Sequence, residues 1–172
     1  RILSTAAALP LHEAHVTPDS VVIGGGTHAL RISAEGEGDT TWRHAQLLLG
    51  WPWLPASTLE TLLPPALSLH RLHAVAIDKG CYPGQEIVAR LHWRGGHKRH
   101  LCNLELTRDA APGDVLRRDG NDVGVLLDAV PGEKRIDALA VLDDDTVSAH
   151  VDHTVLRLDG GLVLHLQHQW KS

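Results

Sequence analysis

The chain has 172 residues, a formal net charge of -5 and 22% charged residues, a composition typical of a globular protein with one medium or two small domains. The net negative charge argues against direct nucleic-acid binding, because phosphate contacts need a basic surface. No apolar run is long enough to cross a bilayer, and two cysteines are too few for a disulfide framework. We therefore expect a cytoplasmic protein with free thiols and no membrane partner.

The first third of the chain predicts a pair of strands followed by a helix. "VVIGGG" (21–26) and "HALRIS" (28–33) have strand-like patterns separated by glycines. These glycines formally fit a dinucleotide-binding fingerprint, but a strand rather than a helix should follow them, so we expect no such site. Residues 42–49 have helical periodicity, with Thr40 or Thr41 as the N-cap and Gly50 after the last turn.

An apolar connector follows this helix. It contains four prolines, Pro52, Pro55, Pro64 and Pro65. Because proline lacks the amide that a regular helix or central strand needs, we predict an extended segment with one short helical turn.

The stretch "DKGCYPGQEIVAR" (78–90) has the features of a reactive cysteine. Lys79 can place an ammonium near the Cys81 sulfur, which favours the thiolate. A helix should begin near Pro83, and its N-terminus also favours negative charge. Cys81 as a small apolar residue packed in a turn remains the alternative.

Other residues of this stretch fit the same interpretation. Gly80 and Gly84 allow the backbone to bend or a ligand to approach closely. Glu86 and Arg90 are one helical turn apart and can support the helix as a charge pair.

Beyond Gly95 and Gly96 the pattern becomes that of short strands and tight turns. The aspartates at 143–145 are interpreted as one of these turns. A small antiparallel sheet closed into a barrel is the predicted architecture, with a domain boundary near residues 95–98. The predicted strands lie within residues 99–106, 113–118, 123–130, 135–142 and 153–166.

Two further patterns have open interpretations. The histidines form several pairs, but none has the spacing of a zinc site, so we predict no metal site. The loop "RLHWRGGHKRH" (90–100) is basic and contains an aromatic residue. Such a loop could contact RNA, a phosphate or a polyglutamate tail, or it could simply be solvated.

"KGCYPGQEIVAR" resembles the K-G-C-[FY]-x-G-Q-E signature of the YgfZ family, folate-binding proteins related to the aminomethyltransferase (T-protein) of glycine cleavage. The flanking "LLPPALSLHRLHAVAID" and "RLHWRGGHKRHL" are similar to the family's segments, and the resemblance covers about residues 41–130. Because the family is longer at its N-terminus, the resemblance implies the C-terminal part of such a protein. It implies an α+β fold, with an incomplete folate-binding domain over residues 1–95 and a small antiparallel β-barrel over residues 96–172.

The resemblance also implies a site. Cys81 matches the family's required cysteine, with Lys79 as its electrostatic partner, and these two residues are the predicted catalytic pair. Trp42 falls where a tryptophan of the family lines the folate pocket, and an indole can stack on a pterin ring. The residues expected to contact tetrahydrofolate are Trp42, Gly80, Tyr82, Gly84, Gln85, Glu86 and Arg90.

The implied function is that of a folate-dependent accessory protein. Such a protein supports the assembly or repair of iron–sulfur enzymes, including tRNA-modifying ones, and its partners are folate and iron–sulfur proteins or their assembly machinery. The alternative is an aminomethyltransferase-like one-carbon transferase or demethylase, but Leu48 stands where those relatives often carry a pterin-holding glutamate. Pro65 and Ser68 similarly replace common Gln and Asn residues. An interaction module that no longer binds folate is a third hypothesis.

Overall fold

The structure is a computed structural model, which describes residues 2–5, 9–11, 13–35, 41–148 and 155–170. The chain divides into two compact units, Arg1–Leu49 and Gly50–Ser172. Both contain antiparallel sheets accompanied by few helices, so the predicted α+β class is confirmed. The aminomethyltransferase-like nature of the first part and the boundary near residues 95–98 remain predictions.

The first unit contains a four-stranded sheet and one helix. The hairpin predicted around the glycine run is confirmed, because β3 and β4 pair with Gly24 opposite Ala29. The predicted helix is α1, and Gly50 follows it with a positive φ of 62°; Thr40, one of the two predicted N-caps, lies outside the described residues. The sheet has the order β1-β4-β3-β2. Its elements are β1 (Ile2–Thr5), β2 (Ala14–Val16), β3 (Ser20–Gly24), β4 (Ala29–Ser33) and α1 (Thr41–Leu49).

The proline-rich connector opens the second unit. It forms two short 3-10 helices, Ala56–Thr58 and Pro64–Leu67, where the sequence predicted one helical turn. The helix after the cysteine motif is α2 (Gln85–Arg94), which begins two residues later than Pro83. The later start leaves the whole K-G-C-Y-P-G stretch in a loop.

A six-stranded antiparallel sheet forms the rest of this unit, in the order β6-β7-β8-β5-β10-β9. Each predicted strand run contains a strand, and the last run is a hairpin around Asp159–Gly161. The turn predicted at 143–145 is wrong, because Asp144 begins the short helix α3 (Asp144–Ser148), where carboxylates favour a helix N-terminus. The strands are β5 (Arg99–Leu106), β6 (Val115–Arg118), β7 (Asn121–Pro131), β8 (Ile136–Asp143), β9 (Val155–Arg157) and β10 (Val163–Trp170).

The sheet curls into a half-barrel. Register irregularities interrupt β6, β7 and β10, and such bulges bend a strand and increase its twist. Strands β6 and β9 are the two edges, so within the described residues pairing between strands does not complete the predicted barrel. The concave side encloses a leucine-rich core, which includes Leu104, Leu106, Leu126, Leu142 and Leu164.

A side chain connects the two ends of the open sheet. The Asp159 carboxylate, in the β9–β10 turn, accepts hydrogen bonds of 2.9 Å from the backbone amides of Asp119 and Gly120 in the β6–β7 turn. This contact holds the edge strands towards each other without a strand ladder.

Asp159→Ala should therefore destabilise the second unit by about 1–2 kcal/mol, the scale of lost charge-assisted hydrogen bonds at a partly solvated position. Urea unfolding followed by circular dichroism measures the change in the free energy of unfolding. Asp159→Asn is the matched control, because it keeps one acceptor oxygen and should lose less. Equal stability of the alanine variant and the wild type would show that the carboxylate does not hold the edges.

Candidate functional site

Cys81 is exposed in the loop that precedes α2. It lies four positions before Gln85, the first residue of the helix. The effect of the helix dipole weakens within about one turn of the terminus. It therefore stabilises the Cys81 thiolate less than a helix that begins near Pro83 would. Access to solvent is the clearest property of the site.

Gln85 braces the loop on both sides of the cysteine. Its Oε1 accepts a hydrogen bond from the Tyr82 amide, and its Nε2 donates one to the Lys79 carbonyl, each at 3.3 Å. One side chain thus fixes the backbone immediately after Cys81 and two residues before it. These hydrogen bonds give Gln85 a positioning role, and its predicted contact with folate remains a prediction.

Lys79 and Tyr82 form the second contact within the loop. The Lys79 ammonium lies over the Tyr82 ring, 5.9 Å from its centroid, which is within the range of a cation–π interaction. The Tyr82 hydroxyl is buried and has no hydrogen-bond partner in the described part of the chain. A buried hydroxyl without a partner is costly, so this oxygen is an unsatisfied polar group of the loop.

The two glycines of the motif have different roles. Gly84 is the N-cap of α2 and has a φ of 84°, a conformation that other residues adopt only with strain. Gly80 has an ordinary φ, and no atom lies within 4 Å of the position that a Cβ would occupy at either glycine. Open space therefore surrounds the loop on both sides of Cys81.

Glu86 and Arg90 are both exposed on α2. The ion pair that their spacing predicted is not formed, and neither side chain has another ion-pair partner among the residues that the structure describes. Both groups are accordingly free to meet a ligand or solvent.

Trp42 lies on α1 in the first unit, whereas the cysteine loop belongs to the second. Its side chain is only 8% exposed, while Leu48 on the same helix is 67% exposed. The structure thus groups Lys79, Cys81, Tyr82 and Gln85 in one loop region, and the role of Trp42 in folate binding stays a prediction.

Helix α2 also borders a cavity of about 230 Å³ that the sequence did not predict. Its walls combine apolar side chains with four histidines. The presence of three histidines within residues 92–100 was the available signal, but their convergence depends on how the loop after α2 folds. The lining side chains are those of Pro64, Pro65, His70, Val75, Ile77, Val88, Leu91, His92, His97 and His100, together with Gly95 and Gly96.

Two histidines of this cavity have ring nitrogens without a hydrogen-bond partner in the described part of the chain. His100 is 5% exposed and its Nε2 lies 3.1 Å from the Asp144 carboxylate, to which it can donate. Its Nδ1 and the Nε2 of His97 are buried without a hydrogen-bond partner in the described ranges. Burial, followed by the nearby His100, lowers the pKa of His97, and burial, followed by His92 and Arg71, lowers the pKa of His70.

The histidine cluster was also considered as a metal site. Within the described residues, no group of three or more His, Cys, Asp or Glu side chains is arranged to hold a metal ion. His150 and His153, another pair of closely spaced histidines, lie outside those residues.

Cys102 contrasts with Cys81. It is fully buried in β5, and burial, with a smaller contribution from Asp144, raises the pKa of its thiol to about 12. A thiol in this environment stays protonated and out of reach of reagents. Cys81 is therefore the accessible thiol of the chain.

These features define an α+β protein with an exposed cysteine in a loop that Gln85 holds by two hydrogen bonds. A helix and a curled antiparallel sheet follow this loop along the chain. The chain is 34% identical over 104 residues to the tRNA-modifying protein YgfZ of Klebsiella pneumoniae (strain 342), which covers 55% of this chain and 32% of that protein. It is 35% identical over 86 residues to the YgfZ protein of Escherichia coli O45:K1 (strain S88 / ExPEC), covering 50% of this chain and 26% of that protein. Over these segments the chain is similar to proteins of the YgfZ family.

The match is partial in length. The similar segments span about a third or less of these relatives, and no protein-family model matches the chain. None of the helices in the described ranges is long and apolar enough to span a membrane.

Proposed function

We propose that this protein supports tRNA modification as a folate-dependent accessory protein that acts through Cys81. Its relatives are named tRNA-modifying proteins. The observation that carries the proposal is the exposed Cys81, held between two backbone hydrogen bonds of Gln85. A motif that fixes the backbone around a solvent-facing thiol is suited to a reaction or a contact at the sulfur.

Lys79 is the proposed electrostatic partner of the thiolate. Its side chain is exposed and two residues from Cys81, and the cation–π contact with Tyr82 holds it within the same loop. A nearby ammonium favours the ionised sulfur, which is the nucleophilic form.

Tetrahydrofolate is the proposed ligand, and features of the loop are compatible with it. The Tyr82 hydroxyl lacks a partner among the described residues, and open space adjoins Gly80 and Gly84, where backbone can approach a flat ring. Arg90 and Glu86 are exposed on the following helix turn, where Arg90 can pair with a folate carboxylate. When bound, tetrahydrofolate supplies a carrier for one-carbon units.

The proposed partners are iron–sulfur enzymes that modify tRNA, or the machinery that assembles their clusters, in the cytoplasm. An accessory role fits this chain better than an aminomethyltransferase role, because Leu48, Pro65 and Ser68 replace polar residues that those relatives often carry. Leu48 is a solvent-exposed aliphatic residue, and the Ser68 hydroxyl donates to the Trp170 carbonyl and is thus engaged within the fold.

Alkylation of Cys81 tests whether folate and the thiol share a site. Iodoacetamide should label Cys81 rather than Cys102 at neutral pH, and tetrahydrofolate should slow the labelling. Trp42→Ala should weaken tetrahydrofolate binding by about 1–3 kcal/mol, the scale of one lost aromatic stacking partner. Roughly 5- to 150-fold more tetrahydrofolate should then be needed for the same protection of Cys81.

Two controls separate stacking from stability. Trp42→Phe retains a ring and should keep most of the protection, and a melting curve of each Trp42 variant reports whether the buried position still folds. Trp53→Ala removes an exposed indole elsewhere and should have no effect. If tetrahydrofolate does not slow the labelling of Cys81 in the wild type, folate and the thiol do not share a site. If a folded Trp42→Ala protein is protected as well as the wild type, the pterin ring does not stack on Trp42.

A further inference from the structure

The end of α2 and the loop after it form an exposed surface with an unusual composition. We define the basic face as Arg90, Trp93, Arg94 and Lys98, all of which are exposed. Trp93 is 75% exposed, the largest exposure of the tryptophans described as exposed. Arg90, Trp93 and Arg94 have i, i+3 and i+4 spacing, so they share one side of the helix.

The charges of the basic face are not neutralised within the fold. None of its three cations has an ion-pair partner in the described part of the chain. Glu86 is the nearest carboxylate along the same stripe of the helix, one turn before Arg90. The α2 part of the face therefore carries two unpaired arginines although the whole chain has a net charge of -5, whereas the Lys98 end lies beside Asp144, whose amide donates to the Lys98 carbonyl. The argument from net charge against nucleic acid does not apply to the α2 part.

The histidine cavity adjoins this face. The His92 ring packs edge-on against Trp93, with centroids 5.0 Å apart, and His92 also lines the cavity. His97 and His100 also line the cavity, and His97 Nε2 and His100 Nδ1 are buried without partners among the described residues. A ligand that offers N–H donors on a flat ring would satisfy both.

We propose that the basic face and the adjoining cavity bind single-stranded RNA. The phosphates pair with Arg90, Arg94 and Lys98, and one base stacks on the Trp93 indole. The N–H groups of a neighbouring base donate to His97 and His100. RNA supplies the negative charges and the aromatic faces together, whereas an oligoglutamate peptide has no aromatic face to stack on Trp93.

Fluorescence anisotropy of a labelled 12-nucleotide single-stranded RNA tests the proposal. Binding to the full chain should weaken with salt, with a slope of log K against log salt of about -2 for three phosphate contacts on a single strand. Trp93→Ala should weaken binding roughly 5-fold or more. The triple variant Arg90→Gln, Arg94→Gln, Lys98→Gln should reduce the salt slope towards zero.

Control variants and a competitor peptide define the results that would contradict the proposed RNA binding. Arg117→Gln, Lys134→Gln, Arg157→Gln removes the same charge at exposed positions elsewhere and should leave binding within about 2-fold. His97→Ala should weaken binding with an unchanged salt slope, because it removes an acceptor and no cation. RNA binding that Trp93→Ala leaves unchanged, or that an oligoglutamate peptide displaces as well as unlabelled RNA, would overturn the proposal. Neither readout depends on folate or on Cys81.

Discussion

A Cys81→Ser variant is expected to lose all support of an iron–sulfur tRNA-modifying enzyme while it keeps the fold. The change replaces sulfur with oxygen at an exposed loop position, so the free energy of unfolding should change by less than about 0.5 kcal/mol. A serine hydroxyl is not ionised at neutral pH and is a weak nucleophile without an adjacent base. The measurement is the level of the modified tRNA nucleoside in cells that lack their own YgfZ-type protein and express each variant.

The second cysteine supplies the control for this experiment. Cys102→Ala removes a buried thiol whose Sγ lies 3.5 Å from the His100 carbonyl, and it should retain function with a modest loss of stability. Full activity of Cys81→Ser would remove the thiol from the mechanism. Loss of activity in both variants would instead indicate that folding limits function.

Local sequence patterns predicted the strands well because their signals are themselves local. The turn between β9 and β10 is marked by "DGG" (159–161), and the alternation in β4 is visible without any partner strand. Closure of the sheet depends instead on bulges and on Asp159, which contacts backbone about 40 residues away in the chain. No local pattern encodes such a contact, so the sequence overstated closure as a barrel.

In the candidate site, likewise, the sequence predicted which residues are involved but not how the loop is held. The motif identified Cys81, Lys79 and Gln85. The hydrogen bonds by which Gln85 holds the loop form because α2 begins at Gln85 and leaves the preceding residues outside the helix. The helix start at Pro83 was predicted from its suitability for the first turn. In the structure Gly84 has a left-handed conformation, so the helix begins after Gly84 and not at Pro83.

The histidine cavity shows what residue spacing could not reveal. His97 and His100 are three residues apart, a spacing that by itself predicts neither a metal site nor a shared cavity. The two rings meet at an interplanar angle of 89° with centroids 5.8 Å apart, and Asp144 from α3 orients one of them. That carboxylate comes from another element, so the orientation of the acceptor nitrogens is a tertiary property.

Leu104→Ala is expected to cost the second unit about 2–5 kcal/mol of stability, the range for a large buried aliphatic side chain that leaves a cavity. Leu104 is 1% exposed at the centre of β5, where it pairs with Ala138 on one side and Leu166 on the other. Both neighbouring strands are hydrogen-bonded and restrict collapse around the missing atoms. Equilibrium urea unfolding of the wild type and the variant measures the difference.

Val115→Ala is the matched control, because Val115 is 44% exposed on the edge strand β6 and should lose less than about 1 kcal/mol. Strand β5 follows α2 after a short loop, so the folded Leu104→Ala protein also shows whether the sheet positions the cysteine loop. Faster alkylation of Cys81 at a denaturant concentration where the variant remains folded would link core packing to the thiol. A stability loss no larger than that of Val115→Ala would mean that the curled sheet does not depend on this leucine core.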